Sequence, residues 1–492
     1  PAMRSLLLLL LLSPALLAQS PRQPRFGTEL GGWAATARPT PFWLRANQWD
    51  RVPLQSPAAT GRLAVALDYR PVDTTRGFSR KKHRLDWGFG AEGVVNAASG
   101  GAQGLLPQAY AKVRFRGLEL WAGRRYEFFT LGDSALTSGA YAWSGNALPV
   151  PKVQLGLPEY VPLGFLGNFV ALRGFYAHGW FNAPYIQGAY LHQKALYGRF
   201  GKATGRVNVQ LGLNHQVLWG GRADYLRGST LAVNGQLPRA WSDYVRGVIF
   251  GKIPTEFRND RFTNFDGENR IGNHLGSLDV AVEVRLNRGR MLAYHQHPYE
   301  DMTGLLLRNT PDGLYGLRWR PTRPGRGAFF ALNALLAEFL YTKFQAGSTF
   351  DLPGSRFKGG DNYFNHSQYI QGWSYFGRAL GTPFLSLQTD LRPELQRGPF
   401  FANNRVAAYH VGLEGRVKNK VLLLTKLSYS RNFGTYSLPF EGEIRQFSGL
   451  LRLEWPVGWL GGATLAAHLA HDGGGLLPPT TGAYLSLRKT WP

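Results

Sequence analysis

Apolar and polar residues alternate one for one over long stretches of this chain. The cleanest run sets Leu278, Val280, Val282, Val284 and Leu286 against Asp279, Glu283, Arg285 and Asn287. Leu63, Val65, Leu67 and Tyr69 alternate with Arg62, Ala64, Ala66, Asp68 and Arg70, and Leu85, Trp87 and Phe89 with Asp86, Gly88 and Gly90. Ala109, Ala111, Val113 and Phe115 lie opposite Tyr110, Lys112, Arg114 and Arg116; Val207, Val209, Leu211 and Leu213 lie opposite Asn208, Gln210 and Asn214. Val411, Leu413 and Val417 face away from His410, Glu414, Arg416 and Lys418, and the last run opposes Ala483, Leu485, Leu487 and Trp491 to Tyr484, Ser486, Arg488 and Thr490. A two-residue period puts successive side chains on opposite faces of a strand. Each run therefore predicts a strand between two different solvents.

Asp, Glu, Arg and Lys at the alternate positions suit a wet interior, and the apolar positions suit lipid. After position 18 no stretch of about 18 apolar residues occurs, so a helical span is not expected. Arg4, the apolar run 6–12 with Leu16 and Leu17, and Ala18 before Gln19 predict a cleaved export signal over 1–18. Residues 19–492 then form one domain, an all-β closed antiparallel transmembrane barrel of about 18 strands. Soluble sandwiches and propellers also alternate. No repeat of blade length occurs here, however, and the runs approach the roughly 9 to 11 residues of a tilted membrane strand. Turns are predicted at Asn287-Arg288-Gly289 and Lys418-Asn419. Long polar connections are predicted over 130–163, 222–239, 254–274, 345–384 and 388–404, facing outward or folding into the lumen.

The 61 glycines and the 13% of aromatic residues fit many turns and interfacial girdles, and with no cysteine neither disulfides nor thiol chemistry arises. A net charge of +25 asks for an anionic partner. Export argues against nucleic acid and leaves lipopolysaccharide phosphates and acidic polysaccharide. Rim Lys and Arg also serve simply as interfacial anchors.

Some segments mix aromatic faces with amide and guanidinium donors. They are PFWLRANQW (41–49), NHQVLWGG (214–221), NRIGNHLGSLD (269–279), EFLYTK (338–343) and GGDNYFNHSQYIQGWSYFGRALGTPF (359–384). Taken together they resemble the Wzi family of capsule assembly proteins, in the form carried by Bacteroidetes-like bacteria, over nearly the whole mature chain. The resemblance implies an outer-membrane barrel of about 18 strands that acts as a surface lectin. Such a protein helps exported capsular polysaccharide attach to the cell, beside outer-membrane lipid and polysaccharide export machinery. The periplasmic helical bundle of enterobacterial members has no evident counterpart in this sequence.

Sugar rings present C–H faces to Trp and Tyr, and their hydroxyls and carboxylates pair with Asn, Asp, His and Arg. The candidates are Trp219, Tyr363, Tyr369 and Trp373 for stacking, Arg124, Arg125, Arg270 and Arg378 for anionic groups, and Asp361, Asn362, Asn365 and His366 for hydroxyls. Girdle aromatics, luminal ion pairs and turn chemistry are the ordinary alternatives for each of them. His295 and His297 share one strand face, where they could bind a metal, or His and Tyr of segment 294–301 could act as base and acid on a uronic-acid sugar, but further metal ligands are not evident. No nucleophile elbow, phosphate loop or zinc-protease signature is present. The expectation is a non-enzymatic binder without cofactor or metal, with an anion-conducting porin as the competing reading and a polysaccharide- or lipid-modifying enzyme behind it.

Overall fold

The computed structural model describes residues 23–70, 85–257, 260–323, 325, 328–349 and 359–491; the export signal lies outside them. Among these residues the alternating runs build a single 18-stranded sheet in which every neighbouring pair is antiparallel. Its strands are β1 (Arg25–Ala35), β2 (Ala58–Leu67), β3 (Leu85–Ala98), β4 (Gly101–Phe115), β5 (Leu118–Arg124) and β6 (Lys152–Pro162). They continue with β7 (Val170–Ala183), β8 (Ile186–Phe200), β9 (Val207–Arg222), β10 (Asn273–Leu286), β11 (Gly289–Tyr299) and β12 (Gly313–Pro321). The last six are β13 (Phe330–Tyr341), β14 (Val406–Val417), β15 (Val421–Gly434), β16 (Pro439–Val457), β17 (Ala463–Gly474) and β18 (Thr480–Trp491). β1 pairs with both β2 and β18, with Phe26 opposite Trp491 at the seam, so no edge is left open to lipid.

Antiparallel order sorts the connections by end. Residues 36–57, 125–151, 223–272, 300–312 and 342–405 emerge at one end; the turns 116–117, 287–288 and 418–420 and both chain ends of the barrel lie at the other. Outer-membrane barrels keep short turns on the periplasmic side and long loops outside. β6 corrects the expectation of one long connection over 130–163, because Val153 and Leu155 face outward against the luminal Gln154.

The outward face is apolar and exposed at Leu30, Leu63, Leu196, Leu211, Val280, Leu451 and Leu485. A stripe of cross-strand neighbours on this face runs His295, Tyr315, Phe339, Tyr409, Tyr429, Phe447 over six successive strands, as an interfacial girdle requires. His295 stacks on Tyr315 at 4.2 Å and belongs to this girdle, whereas His297, on the same outward parity, is buried against the Gly304 carbonyl at 3.2 Å. Among the described residues no group of three or more His, Asp or Glu is placed to hold a metal ion, and no helix is long and apolar enough to cross a membrane.

The lumen is filled. Segments 36–57, 125–151, 342–349 and 359–405 fold inward, and Trp43, Leu136, Tyr141, Tyr363, Phe364, Trp373 and Phe401 join luminal wall residues in one core. A second, separate core contains Val217, Trp219, Tyr244, Val248, Phe257 and Ile271. It lies on the opposite face of the wall, because Val217 and Trp219 share the parity of the exposed Leu211 and Leu213.

Candidate functional site

The plug is tied to the wall by buried polar bonds. Phe42 N–H donates to Asp472 at 2.7 Å and Trp43 Nε1 to Ser428 at 3.1 Å. His410 bridges Ser428 Oγ at 2.8 Å and the Leu136 carbonyl at 2.7 Å. Glu338 accepts from Ser138 N–H at 2.6 Å, Thr137 Oγ1 at 2.8 Å and the Tyr294 hydroxyl. Unpaired buried donors and acceptors cost on the order of 1–3 kcal/mol each, so these bonds hold the plug in one arrangement rather than merely filling space.

The twelve sequence-selected residues fall into three places. Eight of them are plug residues, and all but Asp361, whose Oδ2 is buried without a partner, have side-chain partners in the protein. Tyr363 is buried and donates to Asp312 at 2.8 Å while accepting from Asn309 at 2.6 Å. Tyr369 donates to the Gly220 carbonyl and Trp373 Nε1 to the Ala142 carbonyl at 2.7 Å. Arg378 reaches Asp390 through both terminal nitrogens, at 3.1 and 3.2 Å, and Arg45 joins from the other side at 3.1 Å. Asn362 Oδ1 accepts from Asn365 and Asn404, Asn365 pairs with the Phe401 backbone, and His366 Nδ1 accepts from the Gln368 N–H. The rings of Tyr363, Tyr369 and Trp373 are therefore enclosed by the plug, and they pack it instead of offering stacking faces. Asn362 is exposed; Asp361 and His366 are half-buried.

Burial dominates the plug's carboxyl groups. It pushes Asp361 up to about 9, with Asp301, Glu300 and Asp312 adding to the effect, and Glu300 up to about 8 despite the Phe364 N–H and the Tyr141 hydroxyl. Asp312 rises to about 6 for the same reason. At Asp390 burial is overcome by the Arg378 and Arg45 guanidinia, which hold it at about 2. Burial lowers His366 to about 4.

Trp219 and Arg270 lie elsewhere. Trp219 points out of the barrel and stacks on Tyr244 at 4.9 Å, and Arg270 Nε donates to the Gly251 carbonyl in the loop covering it. A lone aromatic in an alternating run has no sequence mark of which face it takes when the register is unknown.

Arg124, the last residue of β5, and Arg125 after it make the third place. Arg125 pairs with Glu119 at 2.6 Å and lies 5.5 Å from the centres of both Tyr110 and Trp121; half-exposed Arg124 reaches the Leu106 carbonyl at 3.4 Å. Arg125 lines a luminal cavity of about 160 Å³ with Glu119, Trp121, Tyr126, Phe129, Gln154 and Phe175. Its lining runs from Gln154 in the long-loop half of β6 to Glu119, Pro158 and Gly174 in the halves of β5–β7 nearer the short turns, beside residues 125–129. Trp121 Nε1 and Gln154 Oε1 are buried with no protein partner, one an orphan donor and the other an orphan acceptor. The sequence reading missed all of this lining except Arg125, although the run Arg124-Arg125-Tyr126-Glu127-Phe128-Phe129 carries the same mixture of rings and charges.

No protein-family model matches the chain, and no curated protein does. Among solved structures it is similar to Wzi of Escherichia coli, an outer membrane protein involved in group 1 capsule assembly and described as a carbohydrate binding beta-barrel. The two are 15% identical, with 94% of this chain and 84% of that one covered and a TM-score of 0.57. It is also similar to OccK5 (OpdH) of Pseudomonas aeruginosa, 9% identical, with 96% and 98% covered and a TM-score of 0.45. The likeness to the capsule protein is one of fold, and with the closed sheet it makes this chain an 18-stranded barrel of the bacterial outer membrane.

Proposed function

We propose that this barrel binds acidic capsular or extracellular polysaccharide and helps attach it at the cell surface, without chemical turnover, as a distant member of the Wzi family. The observation that carries the reading is the cavity at Arg125: the partly exposed rings of Tyr126, Phe129 and Phe175, a guanidinium and a carboxylate around a luminal space of about 160 Å³. Apolar rings flanked by fixed polar groups recognise a sugar ring by its C–H face and hydroxyls together. The packed plug supports binding over free diffusion, and the net charge of +25 supports an acidic polymer.

The test compares cell-bound with released polysaccharide in a strain lacking the protein, complemented with the native chain or with Trp121→Ala. Intact polymer shed into the medium, recovered by the native chain and at best weakly by the variant, is the expected outcome. Unchanged attachment in the deletion strain sinks the reading. A specific observation favours one rival: Arg173 on β7 and Arg199 on β8 stand in the lumen at 5.0 and 5.1 Å from the Tyr160 ring, without a carboxylate ion pair among the described residues. Anions would meet these guanidinia if the plug opened, and ion conductance by the purified native barrel would favour that channel.

A further inference from the structure

The outer wall at β7–β10 is unlike the rest of the lipid-facing surface. Where leucine and valine face outward elsewhere, here His178, His192, Lys194, His215 and His274 do. Acyl chains cannot solvate such a patch, and the second half of connection 223–272 covers it. A helical segment, Trp241–Asp243 continued by Tyr244–Ile249, lies against the wall. The Tyr244 hydroxyl meets Tyr176 at 2.7 Å and His192 at 3.1 Å, and Lys194 donates to the Ile249 carbonyl at 2.7 Å. Asp243, Tyr244, Gly247 and Val248 turn to the wall.

The segment's other face is what asks for a partner. Trp241 is 75% exposed and Phe250 71%, with Val245 and Ile249 partly exposed between them. Arg239, Arg246 and Lys252 share this stretch. Its single carboxylate over 239–252, Asp243, is buried beneath and held by Arg261 at 2.7 and 2.8 Å. Arg239 and Arg246 have no carboxylate partner among the described residues, whereas Lys252 has only an exposed pair with Glu256 at 3.4 Å. Just along the wall, Leu196 is open to lipid two residues from Lys194, so this face is continuous with the membrane belt.

We propose that segment 239–252 is an interfacial anchor for an outer-leaflet lipid with a phosphorylated headgroup, Trp241 and Phe250 entering the acyl layer while Arg239, Arg246 and Lys252 hold the phosphates. Large apolar side chains beside three cations, two of them without a carboxylate partner among the described residues, and a single buried carboxylate over 239–252 are the composition of a segment lying in the plane of an anionic interface. The covered histidines explain why the segment sits there: it seals a polar strip of wall and presents lipid with a face that lipid can solvate.

The chain has no cysteine, so Phe250→Cys and Thr230→Cys can each be labelled with a fluorophore in the full-length protein. Thr230 is exposed on the half of the loop whose Leu226, Ala232 and Leu237 join the plug core, and serves as the control. In vesicles containing lipopolysaccharide, lipid-borne bromine should quench the label at 250 and leave that at 230 to aqueous iodide. Replacing Arg239, Arg246 and Lys252 by Gln should lower lipopolysaccharide retention by roughly fivefold per charge, leaving the barrel folded. Iodide quenching alone at 250, unchanged retention in the triple variant, or a disulfide dimer through Phe250→Cys, which would put a second copy on this face, each overturns the proposal.

Discussion

Asp390 shows how much of the plug depends on single charges. It neutralises Arg378 and Arg45 together in a buried site, and breaking a buried pair by removing one partner typically costs about 3–5 kcal/mol because the remaining charge is stranded. Asp390→Asn should therefore loosen segment 342–405, read as faster proteolysis of that segment with barrel heat-modifiability unchanged. The carboxyls at 300, 312 and 361 act with the opposite sign. Their folded values lie above the ordinary 3.8 or 4.5, so the fold holds protons that an unfolded plug would release. Their contribution is fully present below about pH 4 and is lost as pH rises through about 6 at Asp312, 8 at Glu300 and 9 at Asp361. Protease protection of segment 359–405 should fall over that window, and Asp361→Asn should flatten the uppermost part of the fall; an unchanged profile in the variant would remove Asp361 from the account. Asp390, depressed to about 2, loses its contribution only as pH falls through that value.

Between strands, the recurrent device is a luminal tyrosine lying over a glycine of the next strand. A Cβ at Gly316 would come within 2.1 Å of the Tyr294 ring, its cross-strand partner, and one at Gly212 within 2.1 Å of Tyr197. The missing side chain lets the ring lie flat along the wall. Tyr294 then reaches Glu338, which grips Ser138 of the plug. Gly316→Val should lift that ring and break the chain of bonds, releasing segment 125–151 to hydrogen exchange while the strand amides of β11 and β12 stay protected. Exchange confined to the mutated strands would show that the ring does not transmit the change. Strands β2, β3, β4, β9, β10, β14 and β18 were legible from alternation, since each face meets a different solvent. Strand β6 was not, because Gly156, Pro158 and Glu159 interrupt the pattern and its luminal partners come from segment 125–151.

For the whole molecule the governing fact is that a barrel of 18 strands is wide enough to conduct and is filled instead. Replacing 342–405 with a short turn should leave the wall closed, because its pairing does not pass through that segment, and should open the lumen. Planar-bilayer conductance absent in the native protein and present in the deletion variant is the expected result; a silent deletion variant would mean that 36–57 and 125–151 suffice as a plug. The alternation of side chains along each strand, together with the apolar-out, polar-in sorting, determined from the sequence alone that this chain would close into a membrane barrel with long loops at one end. That information is local: it repeats every two residues and needs no distant partner. Only the tertiary structure decided that Trp219 faces outward under a loop, that Tyr363 and Trp373 are enclosed, and that Arg125 opens on a cavity. Those outcomes depend on register and on which loop folds to which side of the wall, and both are set by contacts between residues hundreds of positions apart, such as Phe42 with Asp472.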